Sequence, residues 1–368
     1  MPSALPLPMT TLTQALNAHL RHAIADAGGW LGFDRYMQQA LYAPGLGYYA
    51  NDLRKFGAMP ESGSDFVTAP ELSPVFGQVL AEQVREALDE TGTDEVWEFG
   101  AGSGALAAQV LDALGGRVRR YTIMDISTSL RARQAETLAR HADKLAWARQ
   151  LPENLEGVVL GNEVLDAMPV TLLHRADGVW HERGVALADG ALAWSDRPTD
   201  LRPPIEVEGD HDYLTEIHPQ AEGFMRTLGE RLTRGAAFFI DYGFPEAEYY
   251  HPQRAQGTLV CHRAHRVDSD PLTELGLKDI TAHVNFTGVA VAAQEAGLNV
   301  LGYTTQAHFL MNNGLLEKMQ QLALVHQGPA LKLMLEHEMG ELFKVLAVGP
   351  GEAWQPRGFA QGDRTHRL

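Results

Sequence analysis

The 368-residue chain contains a single cysteine, Cys261. That excludes an internal disulfide and a cysteine-based zinc cluster, and it suits a reducing compartment. No run of about 18 apolar residues occurs, so no membrane span is expected. Basic stretches are missing too. Lys and Arg number 30 against 47 Asp and Glu, and the net charge of −17 argues against nucleic acid as the main partner. Such a surface keeps the protein solvated and tolerates a basic protein or peptide partner. The 15 histidines show no HExxH-like spacing, so no metal is inferred. The N-terminal stretch has Arg21 as its one arginine and no apolar leader core, which points to neither a secretory signal nor a transit peptide. The expected location is the cytosol of a bacterium.

What is present is a soluble composition, 45% hydrophobic and 21% charged, in a chain long enough for one large decorated domain or two. One stretch stands out: Val96-Trp97-Glu98-Phe99 runs into Gly100, Gly102 and Gly104, and 105–111 then reads as a helix. Strand, glycine turn and helix together let the backbone approach a ligand and present free N–H groups to it. A nucleotide-like cofactor fits such a loop.

Around that stretch the chain alternates. Residues 13–27, 33–41 and 73–91 read as helices that precede the loop, with Pro74 in the first turn of the third. Residues 119–126, 145–149, 157–161, 236–241, 297–304 and 343–348 read as strands, and 127–139, 163–167, 215–232 and 287–296 as helices. This alternation predicts a parallel sheet covered on both faces. Residues 171–200, with turns at Asp177-Gly178 and Asp189-Gly190, read as antiparallel hairpins, and 306–340 as a Met- and Leu-rich helical block. The expected organisation is an N-terminal helical layer (1–92), a core (93–348) with insertions at about 171–214, 242–286 and 306–340, and a polar C-terminal tail (349–368).

The glycine loop alone leaves two cofactors open. Gly100-x-Gly102-x-x-Ala105 fits a dinucleotide fingerprint as loosely as an S-adenosylmethionine loop, and Asp125 is placed to take ribose hydroxyls in either case. Three features favour S-adenosylmethionine. Glu98 lies two residues before the first glycine, no Tyr-x-x-x-Lys pair occurs, and the order of a 297–304 strand, an inserted block and a last strand resembles the seven-stranded methyltransferase sheet, whose last strand is antiparallel. Asn162, Glu163 and Asp166 fall at the end of the 157–161 strand, where ligands of open α/β sheets sit. Glu163 and Asp166 are three residues apart, hence on one face of the expected helical turn, although acidic residues also favour a helix start for its dipole alone. Asp241-Tyr242-Gly243 reaches the same edge, and His283 and Asn285, two apart on an extended segment, are expected to point one way.

Six motifs in order make the resemblance specific: Leu41-Tyr42 with Gly47-Tyr48-Tyr49, Asp65 to Glu71, Glu98 to Gly104, Asn162 to Pro169, Asp241 to Gly243, and Asp279 to Val284. Over about residues 30–348 the chain resembles the MidA-like family of class I S-adenosylmethionine methyltransferases. That resemblance implies a Rossmann-like α/β core with an added helical and hairpin layer. It also implies methyl transfer to a protein, since the mitochondrial relatives are arginine methyltransferases acting on a respiratory complex I subunit. By position, Glu98, Gly100, Gly102 and Gly104 would line the cofactor, Asp125 would hold its ribose, and Asn162 and Glu163 would sit near the methyl donor. Asp125 stands where relatives often have Glu, and Asn285 where many carry Asp. The expected chemistry has Glu163 and Asp166 holding a guanidinium and His283 taking the released proton. The alternatives are a cofactor-binding assembly factor whose 306–340 helices contact a partner, and a nicotinamide-dependent oxidoreductase.

Overall fold

The structure, a computed structural model, describes residues 9–51, 53, 67–125 and 127–368. The first eight residues of the chain, residues 52 and 54–66 with Asp65 and Phe66 of the second motif, and Ile126 lie outside the described residues.

The central sheet runs in the order Asn299–Thr305, Phe343–Gly349, Leu232–Phe244, Leu155–Asn162, Glu95–Phe99, Arg120–Met124, Leu145–Ala148. Five of these strands are joined by parallel ladders, and Phe343–Gly349 runs antiparallel to both of its neighbours. This is the expected seven-stranded order with its reversed strand. A two-residue strand, Val284–Asn285, adds to the end of Leu232–Phe244. The strands are apolar on both sides because helices cover both faces. Val75–Thr91 and Ala105–Leu114 pack on one face, and Pro219–Arg231 and Phe286–Glu295 on the other. Among the described residues no helix is long and apolar enough to cross a membrane.

The hairpins form as expected. Asp177 and Asp189 take left-handed φ values of 48° and 49°, each followed by a left-handed glycine, which matches the strand twist. They belong to a separate antiparallel sheet that also includes Trp30–Gly32 and Tyr213–Ile217. Two readings change here. Residues 213–217 are strand rather than the start of a helix; Pro219 keeps His218 out of the helical region (φ −118°, ψ 49°), and the helix begins at Pro219 itself. Residues 1–92 also do not form one layer. Met9–Asp26 and Phe33–Tyr42 bury Leu16, Leu20, Phe33 and Met37 against the hairpin sheet, while Val75–Thr91 packs on the central sheet. The C-terminal segment is polar in sequence yet anchored. Phe359 is buried in the central core, the Gly358 N–H donates to Gln83 Oε1 (2.8 Å), and the Arg364 N–H donates to the Tyr303 carbonyl (2.6 Å).

Candidate active site

A cavity of about 940 Å³ opens where the parallel strands end, lined by Phe99, Met124, Ala148, Asn162 and Tyr242 from five of them. Its position follows from topology, since crossover helices leave a crevice beyond the carboxyl edge of such a sheet. Glu98, Gly100, Gly102, Asp125, Asn162, Glu163, Asp166 and His283 all line it, so nearly every residue singled out in the sequence meets here. Gly104 does not. It caps the helix Ala105–Leu114 with a left-handed φ of 85° and faces Leu138, a packing role.

The glycine loop is built by backbone geometry. Gly100 and Gly102 also sit at left-handed φ, 62° and 51°. A Cβ on Gly100 would come within 3.0 Å of Val164, so the loop approaches the facing segment as closely as a bare backbone permits. Beneath it Glu98 is buried and accepts from Tyr121 Oη (2.7 Å); burial pushes its carboxyl up to about 7. Asp125, also buried, accepts from the Ser127 N–H (2.8 Å) and from Gln134 Nε2 (2.7 Å). Gln134 is a residue that sequence reasoning missed. Fully buried, it also donates to the Gly102 carbonyl (3.1 Å) and accepts from Trp147 Nε1 (2.9 Å), which ties the loop to Asp125. Its one signal is a position nine residues beyond Asp125, about two turns into the following helix Thr128–Thr137.

The facing end is assembled from distant segments. Residues 163–167 are not the expected helical turn but a bent loop, with Glu163 at a left-handed φ of 53°. The cause is Asp241: its Oδ2 accepts from the N–H groups of Val164 (3.1 Å), Leu165 (2.9 Å) and Asp166 (3.2 Å), and its Oδ1 from that of Tyr242 (3.0 Å). A carboxylate that gathers three consecutive N–H groups replaces the helical bonds those groups would otherwise need. A left-handed non-glycine residue costs about 1–3 kcal/mol, and such strain concentrates at functional positions.

Glu163 opens into the cavity and accepts from Asn162 Nδ2 (3.1 Å). Burial, and then the neighbouring Asp166, push its carboxyl up to about 8. Asp166 is buried and likewise raised by burial; its Oδ2 accepts from Tyr242 Oη (2.6 Å), which also pairs with Thr281 Oγ1 (2.7 Å). His283 lies edge-on to Tyr242, with ring centres 5.1 Å apart, and burial followed by Arg254 and Lys344 lowers it to about 4. Tyr42, Tyr49 and Asp279 complete this end, with Tyr49 Oη bonded to the Asp279 carboxylate (2.8 Å). Asn285 does not join His283 in the cavity. Its side chain accepts from the Gly288 N–H (3.3 Å) as N-cap of Phe286–Glu295, a position where Asn and Asp serve alike.

Three polar atoms at this end have no hydrogen-bond partner among the described residues: Asn162 Oδ1, Asp166 Oδ1 and His283 Nδ1. No group of three or more His, Cys, Asp or Glu among the described residues is arranged to hold a metal. The cavity suits S-adenosylmethionine. The glycine loop leaves room for a close ligand, Asp125 stands pinned at the end of the adjacent strand, and the volume admits a cofactor and an acceptor side chain together.

Residues 79–304 match the profile of a family of S-adenosyl-L-methionine-dependent methyltransferases. Among solved structures, a COG1565 superfamily member from Burkholderia thailandensis bound to S-adenosyl-homocysteine is 49% identical, covers 99% of this chain and 100% of its own, and superposes with a TM-score of 0.94. A native crystal structure from the same organism gives 48% identity, the same coverage and a TM-score of 0.90. The mitochondrial protein arginine methyltransferase NDUFAF7 of Danio rerio is 27% identical over 387 residues, covering 92% of this chain and 88% of that protein. Its Caenorhabditis elegans homolog is 26% identical, covering 90% and 86%. Together with the sheet order, these matches set aside a nicotinamide-dependent oxidoreductase. The chain belongs to the MidA-like family of methyltransferases, and its cofactor is S-adenosylmethionine.

Proposed function

We propose that this methyltransferase modifies an arginine side chain of a protein, in keeping with its relatives a subunit of a respiratory complex. The observation that carries the reading is the surplus of acceptors at one end of the cavity. Asn162 Oδ1, Asp166 Oδ1 and His283 Nδ1 lack partners, and Glu163 stands beside them. Glu163, Asp166 and Asp279 bring three carboxyl groups to this lining, with Asn162 and His283 beside them, a set suited to a ligand rich in donors. A guanidinium brings five N–H donors in a planar fork, matched to two carboxylates, whereas an ammonium brings three on one point. The name of the curated relatives supports the same choice.

In this reading Glu98, Gly100, Gly102 and Asp125 line and hold the cofactor, with Asn162 at the boundary between its site and the acceptor's. Gly104 shapes the loop from behind. S-adenosylmethionine supplies a methyl group on a sulfonium, which departs as a neutral thioether without protonation. Glu163 and Asp166 accept the guanidinium N–H bonds, concentrate its charge away from the attacking nitrogen and fix its approach. A bond forms from nitrogen to the methyl carbon as the carbon–sulfur bond breaks, and the electron pair of that bond stays on sulfur. One N–H proton leaves the nitrogen; His283, held neutral by burial, accepts it through a ring nitrogen.

The test uses the intact protein, tritiated S-adenosylmethionine and lysate from a strain lacking this chain. Methylarginine in the hydrolysed product is the expected result. Glu163→Gln is expected to lower the rate by about 10²–10³-fold while S-adenosyl-homocysteine affinity stays within about twofold. Undiminished labelling would remove Glu163 from the reaction. Cofactor binding without label in any protein would favour the assembly-factor reading instead.

A further inference from the structure

Exposed apolar side chains are concentrated in one stretch of the chain that runs to the cavity lining. Of the thirteen large ones among the described residues, six fall within 316–342: Leu316, Leu324, Val325, Leu331, Leu335 and Leu342. Leu324 and Val325 are 85% and 74% exposed, which no packing among the described residues explains. Clustered exposure of this kind marks a contact surface, whereas isolated exposed apolar residues are ordinary. This cluster is continuous with the active-site cavity. Leu324–Lys332 is a helix whose last residue, Lys332, lines the cavity, as do Glu338, Met339 and Leu342 further on. Leu342 is therefore both rim and exposed patch, being 39% exposed.

The two chemistries in sequence define an occupant. The cavity contributes Glu163, Asp166 and Asp279, suited to a basic side chain, and the adjoining surface contributes apolar contact from Leu324 and Val325 set among exposed polar residues such as His326 and Glu336. We propose that the 316–342 surface docks the acceptor protein, gripping an apolar stretch of the segment that carries the target arginine. This rests on the arginine reading above. The helix rises 1.5 Å per residue, so Leu324 lies ~12 Å along its axis from Lys332. That distance spans about four residues of an extended chain. The grip thus lies outside the reach of the arginine side chain itself, and free arginine would not engage it. Separating the two contacts lets the apolar surface provide affinity while the carboxylates provide alignment.

The experiment compares the intact protein with the double variant Leu324→Asp, Val325→Asp. Both positions are already solvated, so the variant is expected to fold and to bind S-adenosyl-homocysteine with unchanged affinity by calorimetry. With subsaturating lysate from a strain lacking this chain, it is expected to label arginine at least tenfold more slowly than the parent. Raising the lysate concentration should restore most of the rate, a KM effect that a damaged site would not show. Arginine labelling by both proteins at equal rates overturns the docking surface and leaves the arginine reading standing. Absence of arginine label from the parent overturns the arginine reading and this surface with it. A patch that instead joins two copies of this chain would appear in sedimentation as a parent dimer and a monomeric variant labelling at the parental rate, which also overturns the proposal.

Discussion

At the glycine-loop end of the cavity, the functional carboxylates have partners: Asp125 is bonded through both oxygens and Glu98 through Tyr121. At the opposite end Asp166 has one oxygen bonded and one bare, and Asn162 and His283 also keep bare acceptors. The first end comes from one stretch, between Glu95–Phe99 and Thr128–Thr137. The second is brought together from Tyr42 and Tyr49, the 162–166 loop, Asp241 and Tyr242, and 279–283. A fixed cofactor is served by a finished local motif. Under the proposed function, the acceptor is served by side chains that only tertiary contacts bring together.

The strongest way to break this contrast is to remove what holds the acceptor end. Asp241→Ala leaves four backbone N–H groups without their carboxylate and is expected to cost roughly 3–5 kcal/mol in urea unfolding. In the folded fraction, methyl transfer should be lost while S-adenosyl-homocysteine still binds within a few-fold of the parent. Loss of both together would show that the two ends do not form independently.

A smaller effect comes from acidity. Only ionised Glu163 accepts the guanidinium charge, and its carboxyl is raised to about 8, so it is largely neutral at pH 6 and ionises as pH increases. The acceptor kcat/KM is therefore expected to rise about tenfold per unit below about pH 8 and level off above it. Glu163→Gln should abolish that slope. A flat profile in the parent protein would contradict the role given to this carboxyl.

The smallest expected effect sharpens the cofactor end. Gln134→Leu removes the donor to Asp125 and to Gly102, and it is expected to raise the KM for S-adenosylmethionine about tenfold with kcat within about twofold. Gln134→Glu should be worse than Leu, because it sets a second carboxylate against Asp125. A fall in kcat alone would place Gln134 on the acceptor side instead.

Legibility in the sequence divided along the same line. The glycine loop, Asp125 and the hairpin turns at Asp177 and Asp189 were all readable, because each is a short-range device with its own residue signature. The bend at 163–167 was not. Its spacing suits a helix, and only Asp241, some 75 positions away, competes for the N–H groups that a helix would use. The split of the first 92 residues between two sheets was equally hidden, since an amphipathic stripe tells which face is buried but not against what. Phe359 gave no periodic signal in a polar segment, yet it fills the core beside Phe309.

By itself, then, the sequence determined the cofactor loop and the alternating core, because backbone sterics and hydrophobic period act over a few residues. Tertiary structure alone decided the acceptor end. Only folding sets Asp241 under the 163–166 backbone, puts Tyr242 between Asp166 and Thr281, and leaves Asn162, Asp166 and His283 with unspent acceptors in one cavity. Hydrogen bonds across such separations carry no local pattern, because any acidic residue in the right place would make them.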